Sequence, residues 1–489
     1  ITMSNYAWGE STASYTGTVV TGKKEGVYWL RAYCADTNYS DTVDVDVHFL
    51  ESGPYYFKNR ESNKYMSVQE HSQADGAQIV QESFKGEVWQ EFYLERDFTT
   101  GYIRIKNRNS NKYLGVENNS SAHDTDIKQY AYSKNSAGQQ FKIERISGGE
   151  TIKIIPRTGE GLSPQRVVCV ANYVINSDGV HIQQRDFGAN DGYYRDEWYA
   201  YKFDRSSDFG KLVVNMQKLY ELAQEYSELQ HSLNPDAPEI NPTELTMQYI
   251  RRDKYNSNYS GGIEWILATG TIDNKFVDRV ERLSPELHTY FLHSEEWIIN
   301  LPNANEDKID ITHLAAIYNS LLYDSIAPIH YEDDVDDLSG WGGDLRSSVP
   351  VIMRDVNYSD DYNTVYNATY NYIGTGGNFN MPDLLADVDA YNLYKMTKPD
   401  SPAARFFEYY YEGGYLKRFT DFIGNKSYAN IYNRCERMIT MVPLEWFWAI
   451  KKVDENGNDT NEDLILTDTQ IEAICDAYTT YIIDQTANE

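Results

Sequence analysis

Two segments of eleven residues, 58–68 and 106–116, constrain the fold of this chain more than any other feature. Eight of the eleven positions are identical, and the offset between the segments is 48 residues. The same offset joins Gln81 to Gln129, and a degenerate third copy includes residues 167–170 and Gln184. A unit of this length does not bury a core alone, so we expect the three copies to close around a shared one.

Each copy ends in a strand that begins with an aromatic residue. The residues at these points are Gln90-Glu91-Phe92, Gln139-Gln140-Phe141 and Asp196-Glu197-Trp198. They resemble the Gln-x-Trp signature of the ricin-type β-trefoil lectin family. The resemblance implies that residues 54–204 fold as a β-trefoil.

The resemblance also implies where a sugar would bind. Lectins of this family use an Asp early in each copy, an aromatic residue after the Gln strand, and polar groups near the closing motif. The Asp position here is occupied by Ser67, Gly115 and Cys169, and the aromatic position by Glu82, Tyr130 and Arg185. All three copies therefore depart from the family pattern at the Asp.

Only the second copy retains a ring that can stack on the apolar face of a sugar. The resemblance therefore implies a glycan site formed by Tyr130, Gln139, His123 and Asp124. The alternative is that the closing Gln and aromatic residues only pack the trefoil. A third possibility is a protein ligand, because a fold does not fix its function.

Residues 12–50 alternate apolar and polar side chains as β-strands do. Their order resembles the last strands of a bacterial Ig-like domain of group 2, so residues 1–50 are interpreted as part of such a sandwich. An incomplete sandwich would expose strand edges. We therefore expect its remaining strands to precede Ile1.

The hydrophobic period changes to that of a helix at Val213, and a mainly α domain is predicted over residues 208–489. The stretch 324–380 is interpreted as a long aromatic loop, of the kind that is functional or mobile. Helical patterns cover 213–233, 243–252, 275–283, 286–299, 310–323, 382–396, 402–423, 427–451 and 467–484.

His313 is the first candidate for chemistry in the helical domain. Asp310 precedes it and is placed to cap a helix, because its carboxylate can accept the free amides of the first turn. His313 lies at the flank of the apolar stripe of that helix. It suits a general base or a metal ligand, but a hydrogen-bonded core histidine is the alternative, since no second ligand stands one helical turn away.

Asp344 and Asp387 are the other two candidates. Asp344 follows Gly342 and Gly343, which permit close approach of a ligand. Asp387 lies inside an apolar helical stripe, where a carboxylate is costly unless it is paired, so a partner such as His313 or an Arg is predicted. His313, Asp344 and Asp387 form a possible acid/base set of a hydrolase, and a structural ion pair is the alternative.

The charge and cysteine content limit the partners. There are 74 Asp and Glu against 44 Lys and Arg, so the net charge of −30 disfavours nucleic acid and anionic membranes. No apolar run approaches the roughly 20 residues of a membrane span. The four scattered cysteines are predicted to be buried thiols. No metal site or cofactor is predicted, although the acidic run 332–337 could hold calcium.

These features predict a multidomain protein that is secreted or on the cell surface. An all-β N-terminal half, composed of a partial Ig-like sandwich and a β-trefoil, precedes a mainly α domain. The expected partner is a glycan or a cell-surface glycoconjugate. Two functions remain open: a hydrolase of polysaccharide, peptidoglycan or mucin that the trefoil targets, and a non-catalytic adhesin or toxin-like receptor binder.

Overall fold

The computed structural model describes most of the chain between Gly26 and Gln485. The described ranges are 26–34, 39–47, 50–97, 100–146, 150–171, 176–188, 194–251, 273–292, 297–302, 308–322, 341–375, 381–396, 398–412, 418, 427–440, 451–456 and 458–485. The chain divides into two compact units, Ile1–Asp204 and Arg205–Glu489. The predicted fold class, an all-β half followed by a mainly α half, is confirmed.

The N-terminal unit begins with an antiparallel hairpin of two strands. Strand β1 (Gly26–Cys34) pairs with β2 (Tyr39–Val47) along its whole length. The predicted strand around residues 18–20 lies outside the described residues. The Ig-like interpretation of residues 1–50 therefore stays a prediction.

Six strands of the trefoil form a closed barrel. Each pairs antiparallel with the next, and the last returns to the first, so the barrel has no free edge. In the order of pairing they are β3 (Gly53–Asn59), β6 (Phe92–Arg96), β7 (Ile103–Asn107), β10 (Phe141–Arg145), β11 (Ile152–Pro156) and β14 (Trp198–Lys202).

Three hairpins, one from each copy, cap one end of the barrel. The hairpins are β4–β5 (Tyr65–Val68 and Ile79–Glu82), β8–β9 (Tyr113–Val116 and Thr125–Tyr130) and β12–β13 (Arg166–Val170 and Val180–Asp186). Strand β13 of the third hairpin also pairs with β5 and β9, so the three copies share one cap. The shared core predicted from the repeat is thus present.

The hydrogen bonds of Asn107 explain why the repeated segment has an Asn at this position. Nδ2 of Asn107 donates to the carbonyl oxygens of Trp89 at 2.9 Å and Glu91 at 3.4 Å, both in the preceding copy. Its Oδ1 accepts from the amide of Ser110 at 3.2 Å, which closes the turn. Asn59 makes the equivalent bonds 48 residues earlier. The buried side-chain amide of each Asn therefore joins its own turn to a neighbouring copy by hydrogen bonds.

The C-terminal unit contains eleven helices among its described residues. They are α1 (Asp208–Leu233), α2 (Pro242–Ile250), α3 (Asn274–Leu283), α4 (Pro285–Tyr290), α5 (Ile311–Leu322), α6 (Trp341–Asp355), α7 (Tyr362–Thr375), α8 (Met381–Lys395), α9 (Pro402–Tyr411), α10 (Tyr428–Thr440) and α11 (Asp468–Gln485). Two short hairpins accompany them: β15–β16 (Ile298–Asn300 and Lys308–Asp310) and β17–β18 (Lys451–Val453 and Asp459–Asp463).

Three predicted boundaries in this unit are wrong. The interpretation of 324–380 as one loop fails because α6 and α7 lie within it. Pro350, two glycines and many Asn and Tyr residues weaken the helical signal, yet Leu345, Val349 and Val365 are buried in the core. The helices predicted to continue to 299 and 451 meet strands there instead.

Candidate functional site

Buried glutamines hold the loops of neighbouring copies against the hairpins of the trefoil. Nε2 of Gln184 in β13 donates to the carbonyl oxygens of Ser120 at 2.8 Å and Ala122 at 2.7 Å, in the loop of the second copy. Gln129 and Gln81 hold the loops of the first and third copies in the same way. Because each loop belongs to another copy, residues far apart in the repeat meet at these contacts.

The residue two places after each glutamine donates its amide to the same loop. The acceptor is a carboxylate, Asp178 or Asp75, in two of the three contacts. In the third contact, the amide of Asp186 donates to Nδ1 of His123 at 3.2 Å. His123 therefore stands where the other copies place an Asp. The bond assigns the ring proton to Nε2, which lies 3.3 Å from Oδ1 of Asp124.

Asp124 is the residue that most distinguishes this contact from the other two. Its φ of 58° lies in the left-handed region, and the positions that correspond to it in the other two loops are Gly76 and Gly179, with φ of 79° and 80°. Glycine takes this conformation without penalty, and Asp is among the few other residues that adopt it, at a modest cost. The carboxylate of Asp124 lies 2.7 Å from Nε of Arg185, so this left-handed position carries a directed ion pair.

A cavity of about 560 Å³ opens at this ion pair, on the outer face of β13. Charged and polar side chains line it together with Ala171, Gly179 and Val180. Although burial raises the pKa of Asp178, hydrogen bonds from Lys64 and Ser83 hold it below its usual value, so this group is a carboxylate at neutral pH. The described lining residues are Asp124, Ala171, Asp178, Gly179, Val180, His181, Gln183 and Arg185. We name this the Asp124–Arg185 cavity.

Tyr130 and Gln139 are not among the described residues that line this cavity. Gln139 is 2% exposed. Its Oε1 accepts from the amide of Ser133 and its Nε2 donates to the carbonyl of Ala131, both at 2.8 Å. These bonds favour the packing alternative for Gln139. Tyr130 is half-buried, and a Cβ at Gly115 would lie 3.1 Å from its ring. Because residue 115 is glycine and not the Asp of the family pattern, the Tyr130 ring has room to pack there.

Comparison with known proteins assigns the N-terminal unit. Residues 47–130 and 89–185 match the family model described as ricin-type beta-trefoil lectin domain-like. The β-trefoil of the N-terminal unit is thus similar to the ricin-type lectin domain, and we call it the lectin domain. Residues 315–489, in the other unit, match the model described as YkzU uncharacterised protein.

Individual relatives cover only parts of the chain. The uncharacterized protein YkzU of Bacillus subtilis (strain 168) is 31% identical over 117 residues, and the chain spans 63% of its length. The designed three-fold symmetric protein ThreeFoil is 29% identical and covers 30% of this chain and 97% of its own, with a TM-score of 0.27. A Macrolepiota procera ricin B-like lectin is 12% identical and covers 32% of this chain and 98% of its own, with a TM-score of 0.26.

The first and third copies of the lectin domain have other residues at the family's Asp and aromatic positions. In the first copy, Oγ of Ser67 donates to Glu82 at 2.6 Å, and Ser67 is fully buried. In the third copy Cys169 is a buried thiol, and Arg185 turns towards Asp124. In the third copy, neither Cys169 nor Arg185 matches the family pattern. Arg185 nevertheless forms a charged pair with Asp124 at the cavity.

The helical unit brings two of the three predicted catalytic residues together. Nε2 of His313 in α5 lies 2.8 Å from Oδ1 of Asp387 in α8. The Asp387 side chain is 2% exposed and that of His313 is 12% exposed. The predicted cap is also present, because Asp310 accepts the amides of Thr312 at 2.8 Å and His313 at 3.0 Å. Asp344 lies in α6, and its side chain is outside the described residues.

A buried charged cluster in the same unit has no counterpart among the predictions. Asp389, which is 0% exposed, accepts from Nε of Arg418 at 2.9 Å and from the hydroxyls of Tyr409 at 2.6 Å and Tyr410 at 2.5 Å. Burial, and then the Asp389 carboxylate, raise the pKa of both phenols well above its usual value. The sequence signal that could have indicated this cluster is a second Asp, two residues after Asp387, in the same apolar segment.

The described residues contain no group of three or more His, Cys, Asp or Glu side chains arranged to hold a metal ion. The acidic run 332–337, which could hold calcium, lies outside them. None of the described helices has the length and apolar character that a membrane span requires. Cys169, Cys435 and Cys475 are buried free thiols, as predicted; the side chain of Cys34 is outside the described part.

Proposed function

We propose that the lectin domain binds a glycan in the Asp124–Arg185 cavity, and that this binding directs the protein to extracellular polysaccharide, peptidoglycan or mucin. The observation that supports the site is the Asp at a left-handed position where the other two loops have glycine. Backbone strain of this kind persists where the surrounding structure maintains it, and it is concentrated at functional sites.

The chemistry of the cavity suits sugar hydroxyls. A carboxylate accepts hydrogen bonds from hydroxyl groups, and a guanidinium donates to them, so Asp124 and Arg185 can engage adjacent hydroxyls of one ring. His181 and Gln183 follow on the same face of β13, because alternate residues of a strand share a face. Both contact Asp126, which orients them. The role of His123 in this proposal is to position Asp124.

A glycan array with two variants tests this proposal. Arg185→Met removes the donor but keeps the aliphatic stem, and it is expected to weaken binding at least about tenfold, since hydrogen bonds to charged groups are worth about 1.5–3 kcal/mol. Tyr130→Ala is the matched control in the same domain and should retain binding. Loss of binding in Tyr130→Ala with retention in Arg185→Met would instead support the second-copy site.

A second function, hydrolysis in the helical unit, is supported by the His313–Asp387 pair. A carboxylate bonded to one ring nitrogen orients an imidazole and stabilises its protonated form, as general bases require. We propose that His313 is the base, that Asp387 orients it, and that Asp344 is the further acid/base carboxylate. The alternative remains a non-catalytic adhesin or toxin-like protein with a structural ion pair.

Release of reducing ends from a panel of polysaccharides and cell walls distinguishes these accounts. If the pair is catalytic, His313→Ala and Asp387→Asn should each lower kcat about 100-fold or more. The control is His288→Ala, since His288 is another helical histidine, hydrogen-bonded to Tyr249 at 2.7 Å. Activity that is unchanged in the first two variants would exclude this site, and an inactive wild-type protein would favour the adhesin.

A further inference from the structure

A row of partly exposed tyrosines in the helical unit packs on one side against the hydrophobic core. Tyr362, Tyr366 and Tyr370 follow one another at four-residue spacing on α7. Their rings are nearly parallel, with interplanar angles of 18° and centroids 6.0 and 6.3 Å apart. On α10, Tyr428 and Tyr432 repeat the arrangement at 6.2 Å and 21°. All five are partly exposed, and Tyr428 is 45% exposed.

Helix α11 joins the two rows through its carboxylates. Asp476 accepts from the hydroxyls of both Tyr362 and Tyr428, which come from different helices. Asp484 accepts from the hydroxyl of Tyr370 at 2.7 Å. The rings and carboxylates therefore form one continuous surface, which we name the tyrosine face.

The helices of the tyrosine face carry more negative than positive charge. Helices α7 and α11 contain no Lys, Arg or His, and α11 contains Asp468, Glu472, Asp476 and Asp484. Helix α10 adds Glu436, Arg434 and Arg437. Burial, and then the bond to Asp476, raise the pKa of Tyr362 and of Tyr428. Burial, followed by the Cys475 thiol and the Glu436 carboxylate, raises the pKa of Tyr432 to about 12. The phenols therefore stay neutral, and the carboxylates give the face its negative charge.

We propose that the tyrosine face binds a basic helical segment of a protein partner. Aromatic faces attract guanidinium and ammonium groups, and nearby carboxylates add charge complementarity. Side chains at i and i+4 of a helix are about 6 Å apart along its axis, which matches the ring spacing on α7. A partner helix with Arg or Lys at every fourth residue therefore matches the spacing of successive rings, with one cation for each ring.

Fluorescence anisotropy with the full chain and two labelled peptides tests this register. One peptide is an alanine-rich helix with Arg at i, i+4 and i+8; the other has the same composition with its three Arg residues consecutive. The spaced peptide should bind more tightly, and its affinity should fall as salt is added. Equal affinity for the two peptides would overturn the proposal, as would a preference for an oligochitosan over the spaced peptide.

Variants of the face locate the binding. Combined replacement Glu472→Gln, Asp476→Asn and Asp484→Asn should weaken binding of the spaced peptide about tenfold. Tyr366→Leu keeps an apolar side chain but removes the ring, and should weaken it about threefold. The matched control makes the same charge change at three exposed carboxylates elsewhere in the unit: Asp278→Asn, Glu281→Gln and Glu455→Gln.

The control should bind as the wild type does, and circular dichroism should show an unchanged fold in each variant. Binding that persists in the acidic triple variant, or that falls equally in the control, would contradict the assignment to this face. Absence of binding of the spaced peptide to the wild-type chain at low salt would contradict it as well.

Discussion

Replacing Asp389 with Ala is expected to destabilise the helical unit by about 3–5 kcal/mol. Asp389 is fully buried and accepts three hydrogen bonds from Arg418, Tyr409 and Tyr410. Arg418 is only 4% exposed, so the substitution removes the carboxylate that accepts from a guanidinium in the interior. Hydrogen exchange followed by mass spectrometry on peptides from α8 and α9 reports this loss within the full chain.

Two further variants separate the buried charge from other effects. Asp355→Asn removes an exposed carboxylate of the same unit and should change its stability by less than about 0.5 kcal/mol. The double variant Asp389→Leu/Arg418→Met removes both charges, so it should be more stable than Asp389→Ala. If the double variant were the less stable of the two, loss of the Asp389 carboxylate beside the Arg418 guanidinium would not be the cause.

Replacing Trp198 with Ala is expected to destabilise the lectin domain by about 3–5 kcal/mol, because the indole is 0% exposed in the shared core. The substitution also removes the hydrogen bond from Nε1 to the carbonyl of Val168 at 2.9 Å. Strand β14 pairs with β3 and closes the barrel. Hydrogen exchange in β3, β11 and β12 should therefore accelerate together.

The pseudo-threefold symmetry supplies the control for this prediction. Phe92 and Phe141 occupy the corresponding positions in the other copies and are also fully buried. Trp198→Phe should therefore keep the barrel closed and cost about 1–2 kcal/mol, mainly from the unsatisfied carbonyl and the smaller ring. If faster hydrogen exchange were confined to the ends of β14, with no change in β3 or β11, the result would contradict the closed barrel.

The trefoil was predictable because its information is local and repeated. The segments 58–68 and 106–116 contain their own turn residues, and Asn59 and Asn107 act on the same turn in which they lie. The position of His123 and Asp124 was not predictable in this way. Their sequence neighbour is Tyr130 of the same hairpin, but their loop contacts Arg185 and Asp186 of the next copy.

The helical unit was predictable only in outline. The rule that a carboxylate inside an apolar stripe requires a partner predicted His313 or an Arg beside Asp387, and the structure places His313 there, across 74 residues of sequence. The same rule applied to Asp389, but its partners come from α9 and from Arg418, which a periodic pattern does not identify. Helices α6 and α7 were missed because tertiary burial outweighs their weak local propensity.

The binding of a glycan by the Asp124→Gly variant tests the central claim most directly. Glycine is the residue at the two corresponding positions, so the substitution relieves the left-handed backbone while it deletes the carboxylate. We predict that titration calorimetry with the glycan selected on the array will show at least about tenfold weaker binding, in a domain that is as stable as the wild type or more so. Undiminished affinity in a folded Asp124→Gly variant would contradict the Asp124–Arg185 cavity as the glycan site.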